Sequence, residues 1–303
     1  MEDKKLERLT KCPLCKSGRF LNTQEIKDFA VSQETFMICN CTNCGLKFTN
    51  PRPTEESIGP YYDFPEYFSH EDKAKNLTQY VYQKVRNYAI AQKVKHLSEL
   101  RAQKGRYLDF GCGTAELLYK AKESGWKVTG IEPNLKARNL ANSKLEGKVY
   151  ESINDLPKGT SYHIITLYHV LEHVHTLRKS VKTLIKHLKP DGYILIAVPN
   201  PESLDSKKYG ENWAGWDVPR HLYHFNHKAI KQFEEIFGLQ LIKELPMKFD
   251  SYYVSLLSEG YRKPNQSILK KHYKAIRSGR NSNKEAAKSS GNYSSNLFVF
   301  RKK

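Results

Sequence analysis

Asp109, Gly111 and Gly113 are the residues whose types and spacing most directly suggest chemistry. They sit in the stretch Tyr107-Leu108-Asp109-Phe110-Gly111-Cys112-Gly113-Thr114-Ala115. The apolar Tyr107, Leu108 and Phe110 read as a short buried strand. The glycines then make a tight turn, and Ala115 to Ala121 has helical spacing. Strand, glycine turn and helix build a nucleotide-binding crevice at the carboxyl end of a parallel strand. Glycine lets the backbone approach a ligand that a side chain would push away. The dinucleotide fingerprint needs a small residue where Glu116 stands, and the phosphate loop needs a Gly-Lys-Ser/Thr that is missing. A carboxylate at Asp109 would repel a pyrophosphate. It suits a ligand with a cationic end, such as an amino-acid ammonium.

Five of the six cysteines lie within residues 1–50. Cys12-Pro13-Leu14-Cys15 and Cys41-Thr42-Asn43-Cys44-Gly45 are C-x2-C knuckles with 25 residues between them. Each pair places two thiolates on one ion, and two pairs complete a tetrahedral zinc site. The separation leaves room for a β-hairpin, and Phe36-Met37-Ile38 reads as the strand entering the second knuckle. Four thiolates leave no open coordination position, so structural zinc is expected, folding a segment too small to fold alone. Cys39 is the spare.

Histidines form the third group. His169, His173, His221 and His224 fall in two short segments, with Glu172 between the first pair. An unperturbed imidazole titrates near neutral pH, at about 6.5, which suits a general base. His173 is the first choice for that role, and His221 or His224 the second, with Tyr223 shaping a pocket. The alternative for His173 is a buried, hydrogen-bonded side chain at a helix start.

The elements that must position these residues alternate in the manner of a parallel sheet. A long helix is expected from Lys73 to Leu100. Strands follow at Tyr107–Phe110, Lys127–Glu132, Val149–Tyr150, Tyr162–Leu167 and Tyr193–Val198. Helices are read from Pro133 to about Ser143, Leu177 to Leu188 and Lys228 to Phe237, then strands at Leu239–Leu245 and Asn296–Phe300. Lys189-Pro190-Asp191-Gly192 reads as a turn. The loop from Pro201 to His227 carries two of the three tryptophans and leaves the end of a strand, so it can overhang the crevice. The stretch 262–292 is basic, rich in Ser, Asn and Gly, and expected to be mobile.

More than one segment carries a family resemblance. The Asp109-x-Gly111-x-Gly113 stretch resembles motif I of the class I S-adenosylmethionine (SAM)-dependent methyltransferases, with Ala115 where a third glycine is common. Tyr168-His169-Val170-Leu171-Glu172-His173-Val174 resembles the His-Val-Leu-Glu-His-Val segment of the ubiquinone-biosynthesis and sugar-methylating branch. The Lys-Pro-Asp-Gly turn and the Val198-Pro199-Asn200 strand ending are similar too, whereas His163 stands where that branch usually has an acid. The cysteine knuckles resemble zinc-binding heads on some bacterial methyltransferases. The resemblance implies an α/β, Rossmann-like seven-stranded sheet with its last strand antiparallel and a small N-terminal zinc-ribbon-like module. It implies SAM held by Asp109, Gly111, Cys112, Gly113, Glu132, Pro133, Ile153, Tyr168 and His169, with Glu132 accepting from both ribose hydroxyls. It divides the chain into 1–50 (zinc module), 51–72 (an aromatic, proline-rich connector) and 73–303 (catalytic domain). A small-RNA 2′-O-methyltransferase family has a similar Glu-x-x-Glu-His segment and later Arg-His-x-x-His. That raises a divalent metal on His169, Glu172, His173 and His221 or His224 as a lesser alternative.

Composition narrows the partners. Hydrophobic content of 39%, with 19 Tyr and 13 Phe, supplies a core. The apolar runs are far shorter than the roughly 20 residues a membrane span needs. Without an apolar segment behind Met1-Glu2-Asp3-Lys4-Lys5, a soluble cytoplasmic protein is expected. The net charge of +18 favours anionic partners. The leading expectation is a methyl acceptor that is small or carrier-linked, a sugar or polyketide-like metabolite. RNA or protein methylation, and a non-catalytic nucleic-acid-binding or scaffold role, are the alternatives.

Overall fold

The computed structural model describes residues 5–63, 77–288 and 291–303, with side chains described from 83 onward in the second stretch. The aromatic run 64–68, the start of the expected helix at Lys73 and residues 1–4 lie outside the described residues.

In chain order the first elements are β1 (Leu6–Glu7), β2 (Phe20–Lys27), β3 (Thr35–Cys41), β4 (Lys47–Thr49) and β5 (Arg52–Pro53). Next come α1 (Leu77–Leu100), β6 (Arg106–Phe110), α2 (Glu116–Glu123), β7 (Lys127–Ile131), α3 (Leu135–Leu145) and β8 (Val149–Tyr150). Then follow β9 (Tyr162–Tyr168), α4 (Leu177–Lys186), β10 (Leu188–Pro199), α5 (Leu204–Tyr209), β11 (Tyr223–His224) and α6 (His227–Phe237). The chain closes with β12 (Leu239–Pro246), α7 (Asp250–Arg262), α8 (Ile268–Lys288) and β13 (Ser295–Lys302).

The expected Rossmann-like sheet is present. Its seven strands run in the order β12-β13-β10-β9-β6-β7-β8, and the last, β13, is antiparallel. Strand β6 pairs in parallel with β7 and β9, and β7 in parallel with β8. Parallel strands are covered on both faces, so they read as near-continuous apolar runs. Ile164, Ile165 and Leu167, and Ile194 through Val198, are all buried. In α4 the buried Leu177, Val181 and Leu184 repeat at helical spacing. The Lys-Pro-Asp-Gly stretch does not turn as expected. Strand β10 already begins at Leu188 and carries it. Gly192 there lies so close to Leu188 that an added Cβ would stand 2.8 Å from that side chain.

The chain forms two compact units. One gathers the described parts of Met1–Phe68 with His169–Ser180 and Ala197–Phe298, and the other those of Ser69–Tyr168 with Val181–Ile196 and Val299–Lys303. Within the first, β2 and β3 form the hairpin expected between the knuckles, and β4 returns beside β3. The fourth strand of that sheet comes from far downstream: Tyr223 and His224 of β11 pair with Phe48 and Lys47 of β4. The tryptophan-histidine loop is thus built onto the cysteine-bearing sheet.

The stretch 262–292 corrects its expectation. Most of it is the helix α8, because its small residues pack rather than loosen the chain. Ala275, Ser278, Gly279, Ser282 and Ala286 are buried along one side. In the second unit, Gly130 of β7 faces the Cys112 thiol and Leu118, where an added Cβ would come within 2.6 and 2.8 Å. Gly130→Ala is therefore expected to destabilise the protein by about 1–3 kcal/mol through overpacking. Denaturant unfolding checks this.

Candidate functional site

The glycine turn belongs to the second unit. The Gly111 and Cys112 N–H groups both donate to the Ile131 carbonyl, at 2.8 and 3.0 Å, which clamps the turn to the end of β7. Gly111, Gly113 and Ala115 have φ of 78°, 54° and 66°. Ala115 thus keeps the left-handed backbone at a position where a side chain costs roughly 1–2 kcal/mol. A Cβ on Gly113 would meet nothing within 4 Å, so this face of the turn is open.

Glu132 follows β7. Its two carboxylate oxygens accept from the Gly113 and Asn134 N–H groups, each at 2.9 Å. Each oxygen keeps a lone pair for a further donor, so a fixed carboxylate is presented for a pair of hydroxyls. Burial raises its pKa above the usual value. Pro133 comes next, its carbonyl held by the Arg138 guanidinium at 2.7 Å. Asp109 is almost fully buried and accepts from the Thr166 hydroxyl. Burial pushes its carboxyl up to about 6, against the opposing pull of Thr166 and of Lys93. The Lys93 ammonium lies 4.0 Å from the centre of the Tyr168 ring. Nothing in its place on a long helix marked Lys93 beforehand. The Cys112 thiol is pushed above its usual range by burial, so it stays protonated. Ile153 opens a short turn, Ile153–Asp155, capped by Ser152. The expected cofactor residues of this unit therefore lie at or just beyond the ends of neighbouring strands β9, β6, β7 and β8.

The histidines belong to the first unit. His173 Nδ1 is 3.0 Å from the Arg220 carbonyl and 3.0 Å from the Tyr62 hydroxyl. A carbonyl only accepts, so Nδ1 carries the proton and Nε2 keeps its lone pair. His221 Nδ1 likewise donates to a backbone carbonyl, that of Gly215, at 3.0 Å. The two rings lie edge to face, 4.7 Å apart. Glu172 is fully buried, and neither of its oxygens has a hydrogen-bond partner among the described residues. Its nearest ion pair is with His169 Nδ1 at 3.5 Å. One ligand atom from each of Glu172, His173 and His221 falls within 4.8 Å of the others. His224 is not in this cluster. Its ring packs on Trp216, and its buried Nε2 has no partner among the described residues.

Environment drives these rings apart. Burial lowers His173 to about 4, with His221 adding to the effect. Burial would lower His169 as well, but the Asp250 carboxylate at 2.9 Å and Glu172 raise it to about 10. His169 is a cation at neutral pH and His173 a neutral ring. Glu172 stays ionised despite burial because the charged His169 lies 3.5 Å from it.

The four knuckle cysteines converge. Cys12 and Cys44 Sγ are 3.6 Å apart, as are Cys15 and Cys41, and all four lie within 4.8 Å with no disulfide. The knuckles repeat one geometry, with Lys16 N bonded to the Cys12 carbonyl and Gly45 N to the Cys41 carbonyl, and φ of 64° and 77°. This donor set fits zinc. Cys39 points elsewhere, towards the Asn22 side chain.

Residues 82–244, more than half of the chain, match a family described as "Methyltransferase domain". The ubiquinone biosynthesis O-methyltransferase of Rickettsia typhi is 26% identical over 118 residues, which cover 37% of this chain and 47% of that protein. An uncharacterized methyltransferase of Staphylococcus carnosus is 31% identical over 120 residues, 38% of this chain and 56% of its own. The chain thus spans about half the length of the curated relatives it matches. Among solved structures, coclaurine N-methyltransferase bound to N-methylheliamine and SAH aligns over 70% of this chain and 80% of its own, at 13% identity and a TM-score of 0.46.

Two outcomes are expected from this geometry. Purified protein should carry one zinc per chain by elemental mass spectrometry, and Cys44→Ser should bring that ratio towards zero. His169 gains its proton affinity on folding, so its contribution to stability is complete below the unfolded value of about 6.5. It is lost as pH rises through about 10. Asp250→Asn should flatten that alkaline decline in denaturant unfolding and lower the His169 midpoint seen by NMR.

Proposed function

The chain belongs to the methyltransferase-domain family, and from that premise we propose that it transfers a methyl group from SAM to an acceptor hydroxyl. The observation that carries the donor half is Glu132, anchored by two backbone N–H groups with acceptor capacity left for the ribose hydroxyls. Asp109, Gly111, Cys112, Gly113, Pro133, Ile153, Tyr168 and His169 are the other proposed donor-binding residues. The open turn at Gly113 admits the donor backbone to backbone, and the Asp109 carboxylate offers a negative charge to its ammonium. SAM supplies an already activated methyl group, so the protein has to bind the donor, aim the acceptor and take up its proton. His173 is the proposed base. Its Nδ1 proton is committed to the Arg220 carbonyl, which leaves Nε2 to accept. A pKa near 4 makes it a modest base but one that is never blocked by a proton at neutral pH. The Glu172 carboxylate beside it stabilises the imidazolium that forms, and His221 packs against the ring.

The proposed acceptor is a small or carrier-linked metabolite, sugar or polyketide-like. Support comes from the relatives named as ubiquinone biosynthesis O-methyltransferases. A second reading of the base cluster is favoured by the orphaned oxygens of Glu172. Glu172, His173 and His221 would then hold a divalent cation that lowers the pKa of the acceptor hydroxyl. Broadening of the Mn²⁺ spin-resonance signal by wild type but not by Glu172→Gln would favour it. An unchanged signal from wild type would remove it.

Calorimetry with SAM and its demethylated product tests the donor half. Glu132→Ala loses two charged hydrogen bonds to the ribose, so affinity should fall about tenfold or more. Affinity should rise with pH to a plateau above about 6 as Asp109 ionises, and Asp109→Asn should abolish that rise. His173→Ala should keep donor binding and lose turnover, measured as labelled methyl transfer to a panel of sugars, acyl carriers, RNA and protein. Heatless titrations would overturn the donor assignment. Label in RNA or protein alone would overturn the acceptor class.

A further inference from the structure

Helix α8 has two faces, and the first is accounted for by packing. Its buried Gly279 lies against α7 so closely that a Cβ would stand 2.8 Å from the Tyr252 ring and 3.0 Å from the Ser251 carbonyl carbon. The buried Ser251, Ser255 and Ser258 of α7 complete a seam of small residues. The outer face is unlike an ordinary solvated helix surface. Leu269, Tyr273 and Ile276 are 84, 65 and 58% exposed. At about 100° per residue, Leu269, Tyr273 and Ile276 share the side opposite the seam. Lys270, Arg277, Arg280 and Lys284 flank them and are exposed too. From 262 to 288 the chain carries nine Lys and Arg and one carboxylate, Glu285.

We propose that this face of α8 docks on an anionic lipid bilayer. The helix would lie in the interface, with Leu269, Tyr273 and Ile276 entering the acyl boundary and the lysines and arginines reaching headgroup phosphates. Charge complementarity selects this occupant. A second copy placed symmetrically would set one basic face against another. A nucleic acid would take the cations but offers the exposed aliphatic side chains nothing comparable to lipid chains. No helix among the described residues is long and apolar enough to cross a membrane, which fits a helix lying on the surface.

Vesicle co-sedimentation of the full chain tests the proposal. Binding to phosphatidylglycerol-containing vesicles should exceed binding to pure phosphatidylcholine by about tenfold or more and fall with added salt. Leu269→Glu with Ile276→Glu should weaken it about tenfold, and Lys270→Glu with Arg277→Glu at least as much. Both double variants should keep the wild-type melting temperature and SAM affinity, since these side chains face away from the seam. Equal binding to both vesicle types, or none, would overturn the proposal. So would a dimer in light scattering that Leu269→Glu disrupts, or RNA binding without vesicle binding.

Discussion

A guanidinium sealed from water must be neutralised where it lies, and Arg220 is such a group. It is 2% exposed, with Asp28 at 2.9 Å and Asp217 at 2.7 Å. A further N–H reaches the Tyr61 carbonyl at 2.9 Å. Removing one partner of a buried pair costs about 3–5 kcal/mol, because the other charge is stranded. The three acceptors come from the loop after β2, from the tryptophan-histidine loop and from the segment ahead of α1. Arg220 therefore ties stretches of the first unit that are distant in sequence to one point. Its own carbonyl is the acceptor that fixes the His173 ring. The tautomer of the proposed base thus depends on the same residue that holds these loops.

Around that anchor, one fully buried carboxylate serves imidazoles in opposite states. His169 touches both Glu172 and Asp250 and keeps its proton, while His173 has a carbonyl and a neighbouring ring and loses it. Groups of one chemical type pushed apart by their surroundings are the usual mark of divided proton-handling roles. His169 bridges the two acids from a left-handed backbone, with φ of 57°.

Local features were legible in the sequence. The strand-glycine-helix stretch, the acid after the next strand, the knuckles and the hairpin between them all depend on neighbours close in the chain. The structure brings Asp109, Gly111, Gly113, Glu132 and Pro133 to the ends of adjacent strands, as expected. What escaped was long-range or compositional. Asp250 lies 81 positions beyond His169, and no spacing rule connects them. His224 looked equivalent to His221, but it lies on β11 with its ring against Trp216, whereas His221 precedes that strand and is held by the Gly215 carbonyl. Helix α8 was misjudged because Ser, Asn and Gly read as loop residues, whereas here they are the small side of a close helix pair.

The cysteine-bearing sheet has one more property that follows from its fourth strand. The Thr49 hydroxyl reaches the His221 carbonyl across 172 residues, and Thr49 N–H the carbonyl of Leu222. During synthesis the four knuckle thiols can meet as soon as Cys44 emerges, yet the edge of β4 that pairs with β11 must wait for most of the chain. The N-terminal segment is thus not a removable cassette. Cut away or grafted elsewhere, it would carry an unpaired strand edge and leave the histidine loop without its backbone partner.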